Sequence, residues 1–152
     1  LRISAGPSAV IVKDVIEQYA ARHLKKPAVV WLSASDKKSY PQFVELAARV
    51  GLRFDLNAEL PDAILADMTD PVRFVFCEVI ATDGAVTEGR RDALMQIVRQ
   101  SKIPPTHITF ISAFEDRNSS PLKKNFGKLA RDSYAWFRTE PDLLVHLFAL
   151  RS

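Results

Sequence analysis

Two short stretches, Leu60-Pro61-Asp62 and Cys77-Glu78-Val79-Ile80, carry the acidic residues whose spacing could do chemistry. Both lie at the ends of apolar runs, Ala63 to Ala66 and Val72 to Ile80, divided by Met68-Thr69-Asp70-Pro71. A β-hairpin turning about Asp70 places Asp62 directly opposite Glu78. Cross-strand partners of that kind hold their Cβ atoms ~4.5–5.5 Å apart on one face of the sheet. Carboxylates that close repel, so one stays protonated unless a cation lies between them. Hard oxygen donors with room for water suit Mg²⁺. Such an ion can generate a hydroxide nucleophile and stabilise the charge that builds on a scissile phosphate. The register decides everything here, because a slip of one residue sends the two side chains to opposite faces. A plainer reading also fits: Asp62 caps a turn after Pro61, and Glu78 is a strand-end charge reaching water.

The elements that must position this pair follow from periodicity. Gly6-Pro7-Ser8 opens a helix whose apolar stripe is Val12, Val15, Ile16 and Tyr19, with Lys13, Asp14, Glu17 and Gln18 opposite. Ala28 to Leu32 reads as a buried strand, and Pro41 to Val50 as a helix closed by Gly51 at C′. The run Val72 to Ile80 is apolar at almost every position, which requires cover on both faces and a central place in the sheet. After Thr82-Asp83-Gly84, Thr87 can cap a helix that runs to about Lys102, with Leu94, Ile97 and Val98 inward. Strands are expected at His107–Phe114 and Ala135–Arg138, with a helix at Pro121–Ala130 between them. Leu143 to Leu150 fits either helix or strand. Helices alternate with strands, so the fold class is α/β, a mixed β-sheet flanked by helices on both faces. No repeat and no linker interrupts it, and residues 1–152 read as one domain.

Composition sets wide bounds. The 152 residues are 47% hydrophobic and 26% charged, enough for one sizeable core. A formal charge of +3 permits nucleic-acid binding without arguing for it. The basic residues are paired, at Lys25-Lys26, Lys37-Lys38, Arg90-Arg91 and Lys123-Lys124, as phosphate contacts or as solvated faces. A single cysteine, Cys77, excludes an internal disulfide and a Cys-based zinc site. No apolar stretch reaches the ~20 residues that span a bilayer, and a cytoplasmic location without membrane contact is expected. Residue 1 is Leu, so the chain reads as a fragment of something longer.

Five motifs in order resemble the BsuBI/PstI restriction endonucleases, a branch of the PD-(D/E)XK nuclease superfamily. Leu60-Pro61-Asp62-Ala63-Ile64-Leu65 is similar to their Leu-Pro-Asp strand. The stretch Phe76 to Val86 resembles their Glu-Ala-Val-Thr-Ser-x-Gly-Pro-Ile, and Ile111-Ser112-Ala113-Phe114-Glu115-Asp116-Arg117 their Val-Thr-Ala-Phe-x-x-Arg. Trp136, Glu140-Pro141-Asp142 and His146 fall in the order of their closing motif, and Ile3-Ser4-Ala5-Gly6 resembles the opening of their catalytic half. In family members His-Asn-Gln stands where this chain has Ser8-Ala9-Val10.

The resemblance implies a metal-dependent, site-specific endonuclease acting on double-stranded DNA as a homodimer, with an upstream half contributing to recognition. Asp62 and Glu78 would then be catalytic and metal-binding, with the Val79 carbonyl a further ligand to Mg²⁺. Ile80 stands where the superfamily places its lysine, so a cation from outside the strand is expected: Lys37 or Lys38 first, Arg90 second. DNA contacts are expected from Lys37, Lys38, Arg90 and Arg91. Glu17 could add a carboxylate from the first helix. His146, Trp31 and Trp136 are expected to be structural. The alternatives are a binding remnant of the same fold that no longer cuts, and a metal-free protein-interaction domain.

Overall fold

The computed structural model describes residues 6–82 and 88–148. The chain opens with helix α1 (Pro7–Asp14), which runs through a π turn (Val15–Tyr19) into α2 (Ala20–His23). Strand β1 (Pro27–Leu32) leads through a 3₁₀ turn at Lys37–Ser39 to α3 (Tyr40–Arg49). Then follow β2 (Ala63–Asp67), β3 (Arg73–Val79), α4 (Glu88–Ser101), β4 (Ile108–Phe114), α5 (Ser120–Asn125), β5 (Tyr134–Phe137) and β6 (Leu144–His146).

The six strands form one mixed sheet in the order β1-β2-β3-β4-β5-β6. β3 pairs antiparallel with β2 and parallel with β4, which gives it the central place its unbroken apolar run demands. Strand alternation then sorts the side chains. Trp31 lies across the ladder from Ile64 and Phe76, on the face where its ring meets Tyr40 and Phe43 of α3. Trp136 lies across from Ala113 and Val79 on the other face, where Tyr19 of the π turn meets it edge-on at 5.9 Å. Helices thus cover both faces. Both tryptophans are buried in the core, as are Phe74, Phe76 and Leu94. Each full burial of such a side chain stabilises the fold by about 1.5–3 kcal/mol.

Local signals account for the ends of the elements. Asp36 caps the turn before α3 by accepting from the Lys38 N–H, and Gly51 closes the helix at φ +93°, a conformation that glycine enters without strain. Arg138, just after β5, pairs with Asp14 of α1 at 3.2 Å and with Glu115 just after β4, fixing α1 against the end of the sheet. Two boundaries differ from expectation, and one left open is settled. The helix near Pro121 ends at Asn125 and tightens into a 3₁₀ turn at Phe126–Lys128, because Leu122 and Leu129 must both reach one apolar cluster. His107 belongs to a 3₁₀ turn rather than to β4, and the last apolar run is a short strand. Thr87, the expected cap of α4, lies outside the described residues.

Candidate active site at the end of the β2–β3 hairpin

β2 and β3 pair Ala63 with Cys77 and Asp67 with Arg73, so the ladder extended by one step sets Asp62 opposite Glu78. The Val79 N–H donates to Asp62 Oδ2 at 2.7 Å, drawing the carboxylate over the end of β3. A β-bulge between Val29 and Trp31 shifts the β1–β2 register by one residue. Ser33, rather than Leu32, therefore comes to face Asp62, and its N–H donates to the Asp62 carbonyl at 2.9 Å. One residue earlier, Trp31 donates its Nε1–H to the Pro61 carbonyl at 2.9 Å. Asp62 is thus held from β1 and from β3.

Glu78 is held from α4. Arg90, in its first turn, donates from Nε to Glu78 Oε1 at 3.0 Å and lies 2.9 Å away through Nη2. The same guanidinium donates to the Leu60 carbonyl at 2.8 Å and meets Glu59 at 2.5 Å. One arginine therefore links the approach to β2 with the end of β3. Planar guanidinium geometry suits such multiple engagement, which a lysine ammonium could not match.

The electrostatics match a carboxylate pair short of positive charge. Burial pushes the Glu78 carboxyl up to about 7, and the charges of Asp62 and Glu59 push the same way, against the pull of Arg90. Asp62 is also raised by burial, opposed by the hydrogen bonds from Val79 and Ser33 and by the charge of Arg90. Asp67, at the other end of β2, shows the contrast. It is buried, yet its oxygens accept from the Lys25 and Lys26 N–H groups at 2.7–3.2 Å, a satisfied structural role.

Beside Asp62 a cavity of about 70 Å³ opens toward α1, lined by Ser8, Ala9, Val12, Ser33, Ala34 and Val79. The helix presents small and apolar groups there, while Glu17 is exposed to solvent. Ile80 is fully buried against Phe114 and Leu122, so the position of the superfamily lysine belongs to the core.

The structure brings Asp62, Glu78, Val79 and Arg90 together. Lys37 and Lys38 sit on an exposed 3₁₀ turn and make no ion pair among the described residues. The cation that reaches the pair is therefore Arg90, the second of the two expected sources. Arg91 turns away, binding Glu88 at 2.7 Å and the Arg131 carbonyl. His146 is exposed and stacks on Tyr134 at 4.3 Å, a packing role. Trp31, Ser33 and Glu59 were not expected at the site. For Ser33 the reason is the bulge, which nothing in the composition of β1 announces.

The chain is 23% identical over 150 residues to the type II restriction enzyme AplI of Arthrospira platensis, covering 95% of this chain and 44% of that protein. It is 20% identical over 149 residues to the type II restriction enzyme BsuBI of Bacillus subtilis, with 98% of this chain and 45% of that protein covered. The chain thus spans less than half the length of these relatives. Among solved structures, that of the SdaI restriction endonuclease superposes with a TM-score of 0.76 at 22% identity, over 96% of this chain and 44% of that one, which shows the shared fold. The model of the BsuBI/PstI restriction endonuclease domain matches residues 1–149, and this chain belongs to that family.

Proposed function

We propose that this chain is the catalytic module of a type II restriction endonuclease, hydrolysing phosphodiester bonds in duplex DNA with a divalent cation. The observation that carries the reading is the convergence of Asp62, Glu78 and Arg90 at one end of the β2–β3 hairpin. The donor set fits a hard cation. Two half-buried carboxylates, each raised by desolvation, have Arg90 as the compensating charge among the described residues. No group of three His, Cys, Asp or Glu gathers among the described residues, so the remaining ligands would be backbone oxygen and water, which Mg²⁺ accepts readily. In an extended strand the N–H and C=O of one residue leave on the same side, so the Val79 carbonyl is directed toward Asp62 as its N–H is. Asp62, Glu78 and that carbonyl would hold the ion. When bound, it supplies Lewis-acid stabilisation of the phosphate and a water of lowered pKa.

The protein's own residues do the rest. Arg90 grips Glu78 Oε1 and fixes the carboxylate plane, while its charge lowers the cost of keeping two anions adjacent. Val79 and Ser33 hold Asp62 from two strands, so the pair is oriented before substrate arrives. A palindromic site read by a symmetric protein would make the active form a homodimer, with an upstream half supplying base contacts.

A binding-only remnant of the same fold is the second reading. It is favoured by the apolar lining that Ala9 and Val12 give the cavity beside Asp62. Plasmid nicking in Mg²⁺ and in Mn²⁺ decides between them, with Asp62→Asn as control. Cleavage by the parent chain and none by the variant, at equal fold content, is the expected result. Retained DNA binding without cleavage in either metal would favour the remnant.

A further inference from the structure

The chain's net excess of positive charge falls in one segment. Between Asp116 and Asp132 there are five basic residues, Arg117, Lys123, Lys124, Lys128 and Arg131, and no acidic one. Since the whole chain has a formal charge of +3, everything outside that segment is net acidic by two. Arg117 is committed to Glu140 at 2.6 Å. Lys123, Lys124, Lys128 and Arg131 are exposed, and their side chains make no ion pair among the described residues. Phe126 sits among them with half its surface in solvent. Leaving a phenylalanine exposed within a cluster of lysines serves neither the core nor solubility.

The fold explains why these residues point outward together. Ser119 caps α5, Pro121 fits its first turn, and Asn125 is buried with its Nδ2 donating to the Pro121 carbonyl. Leu122 and Leu129 insert into the cluster that holds Ile80 and Phe114. With those two side chains inward, Lys123, Lys124, Phe126 and Lys128 face water.

Two observations tie this surface to the candidate active site. Ile80, which Leu122 and Leu129 pack around, lies two residues beyond Glu78, a span of about 7 Å along extended chain. The segment's far end is tied to α4: the Arg131 N–H donates to Glu88 Oε1 at 2.7 Å, and its carbonyl accepts from Arg91. Arg91 directly follows the residue that grips Glu78. The basic segment is thus held at both ends by the elements that build the carboxylate pair.

We propose that Lys123, Lys124, Lys128 and Arg131 form a track for the sugar-phosphate backbone of the duplex beside the scissile bond, with Phe126 contributing an apolar contact to the sugars. This rests on the nuclease reading above and adds to it a surface that sequence-independent phosphate contacts require. Its four exposed cations lie within nine residues, in a chain whose other residues are net acidic by two.

The test measures binding of the full chain to a fluorescent 30-base-pair duplex by anisotropy, at several NaCl concentrations between 50 and 200 mM. Three variants are compared: K123Q/K124Q/K128Q, F126A, and K25Q/K26Q as a control on an exposed pair elsewhere. Each phosphate contact contributes about 0.9 to the slope of log affinity against log salt. The triple variant should therefore lose about 2–3 from that slope and bind roughly 100-fold more weakly at 100 mM salt. F126A should weaken binding a few-fold with the slope unchanged, since no counterion is involved. The control should match the parent. If the parent binds duplex and the triple variant matches it in affinity and slope, the track is refuted while the nuclease reading stands. A parent that binds no duplex at 50 mM salt overturns both. Equal losses by the triple variant toward duplex and toward polyglutamate would mark a generic anion surface and overturn the assignment to DNA.

Discussion

Glu78→Gln should make the metal-free protein more stable at alkaline pH, a gain obtained by removing a residue that the proposed reaction needs. Burial raises the Glu78 carboxyl from 4.5 to about 7, so ionising it in the fold costs more than ionising it in the unfolded chain. The side chain is only 16% exposed, so solvent does little to screen that cost. At ~1.36 kcal/mol for each pH unit, the displacement from 4.5 to about 7 amounts to about 3–4 kcal/mol. The sign follows from linkage: stability from the neutral carboxyl is fully present below pH 4.5 and is lost as pH rises toward 7. Gln keeps the shape and an acceptor for Arg90 but never takes the charge. Parent and variant should therefore coincide near pH 4 and diverge through neutrality. Near pH 8 the variant should melt roughly 7–14 °C higher, taking about 2–4 °C per kcal/mol for a chain of this size. Thermal melts from pH 4 to 8 in EDTA measure this. Adding Mg²⁺ at pH 8 should raise the parent and leave the variant unchanged, because only the parent keeps both carboxylates. A variant no more stable than the parent at pH 8, or a difference as large at pH 4, would refute the reasoning.

Three further outcomes follow from the same geometry. Arg90→Met should cut cleavage by roughly 10²–10³-fold through loss of the cation at the pair, with Arg90→Lys recovering part of it; steady-state rates on plasmid DNA measure both, and an unaltered rate in Arg90→Met would remove Arg90 from the site. Trp31→Phe leaves the buried Pro61 carbonyl without its donor and should cost about 1–3 kcal/mol in urea melts, so an unchanged midpoint would show that Asp62 is held by other means. Ile80→Lys places an amine in a fully buried apolar cluster and should destabilise by several kcal/mol without raising activity; a stable, faster enzyme would show that the strand can accept the superfamily's lysine after all.

The family resemblance singled out Asp62 and Glu78, and a hairpin turning about Asp70 was one register that two uniformly apolar runs allow. The observed ladder has that register, which extended by one step sets the two residues opposite each other. The nearly continuous hydrophobicity from Val72 to Ile80 likewise pointed to a central strand, and the order of elements to a mixed sheet between helices. What the sequence left open was decided over distance. Lys37, Lys38 and Arg90 are all cations on loops or helix ends, and only the packing of α4 shows which one reaches across to Glu78. The bulge in β1 brings Ser33 to Asp62, and a one-residue shift in register leaves no mark in a run of apolar residues. Asp62 and Asp67 are the same residue type at the two ends of one strand. Backbone N–H groups from Lys25 and Lys26 satisfy Asp67, whereas Asp62 is desolvated beside another carboxylate. A carboxylate's chemistry depends on which donors and charges the fold brings within about 4–6 Å of it, and those neighbours come from distant parts of the chain.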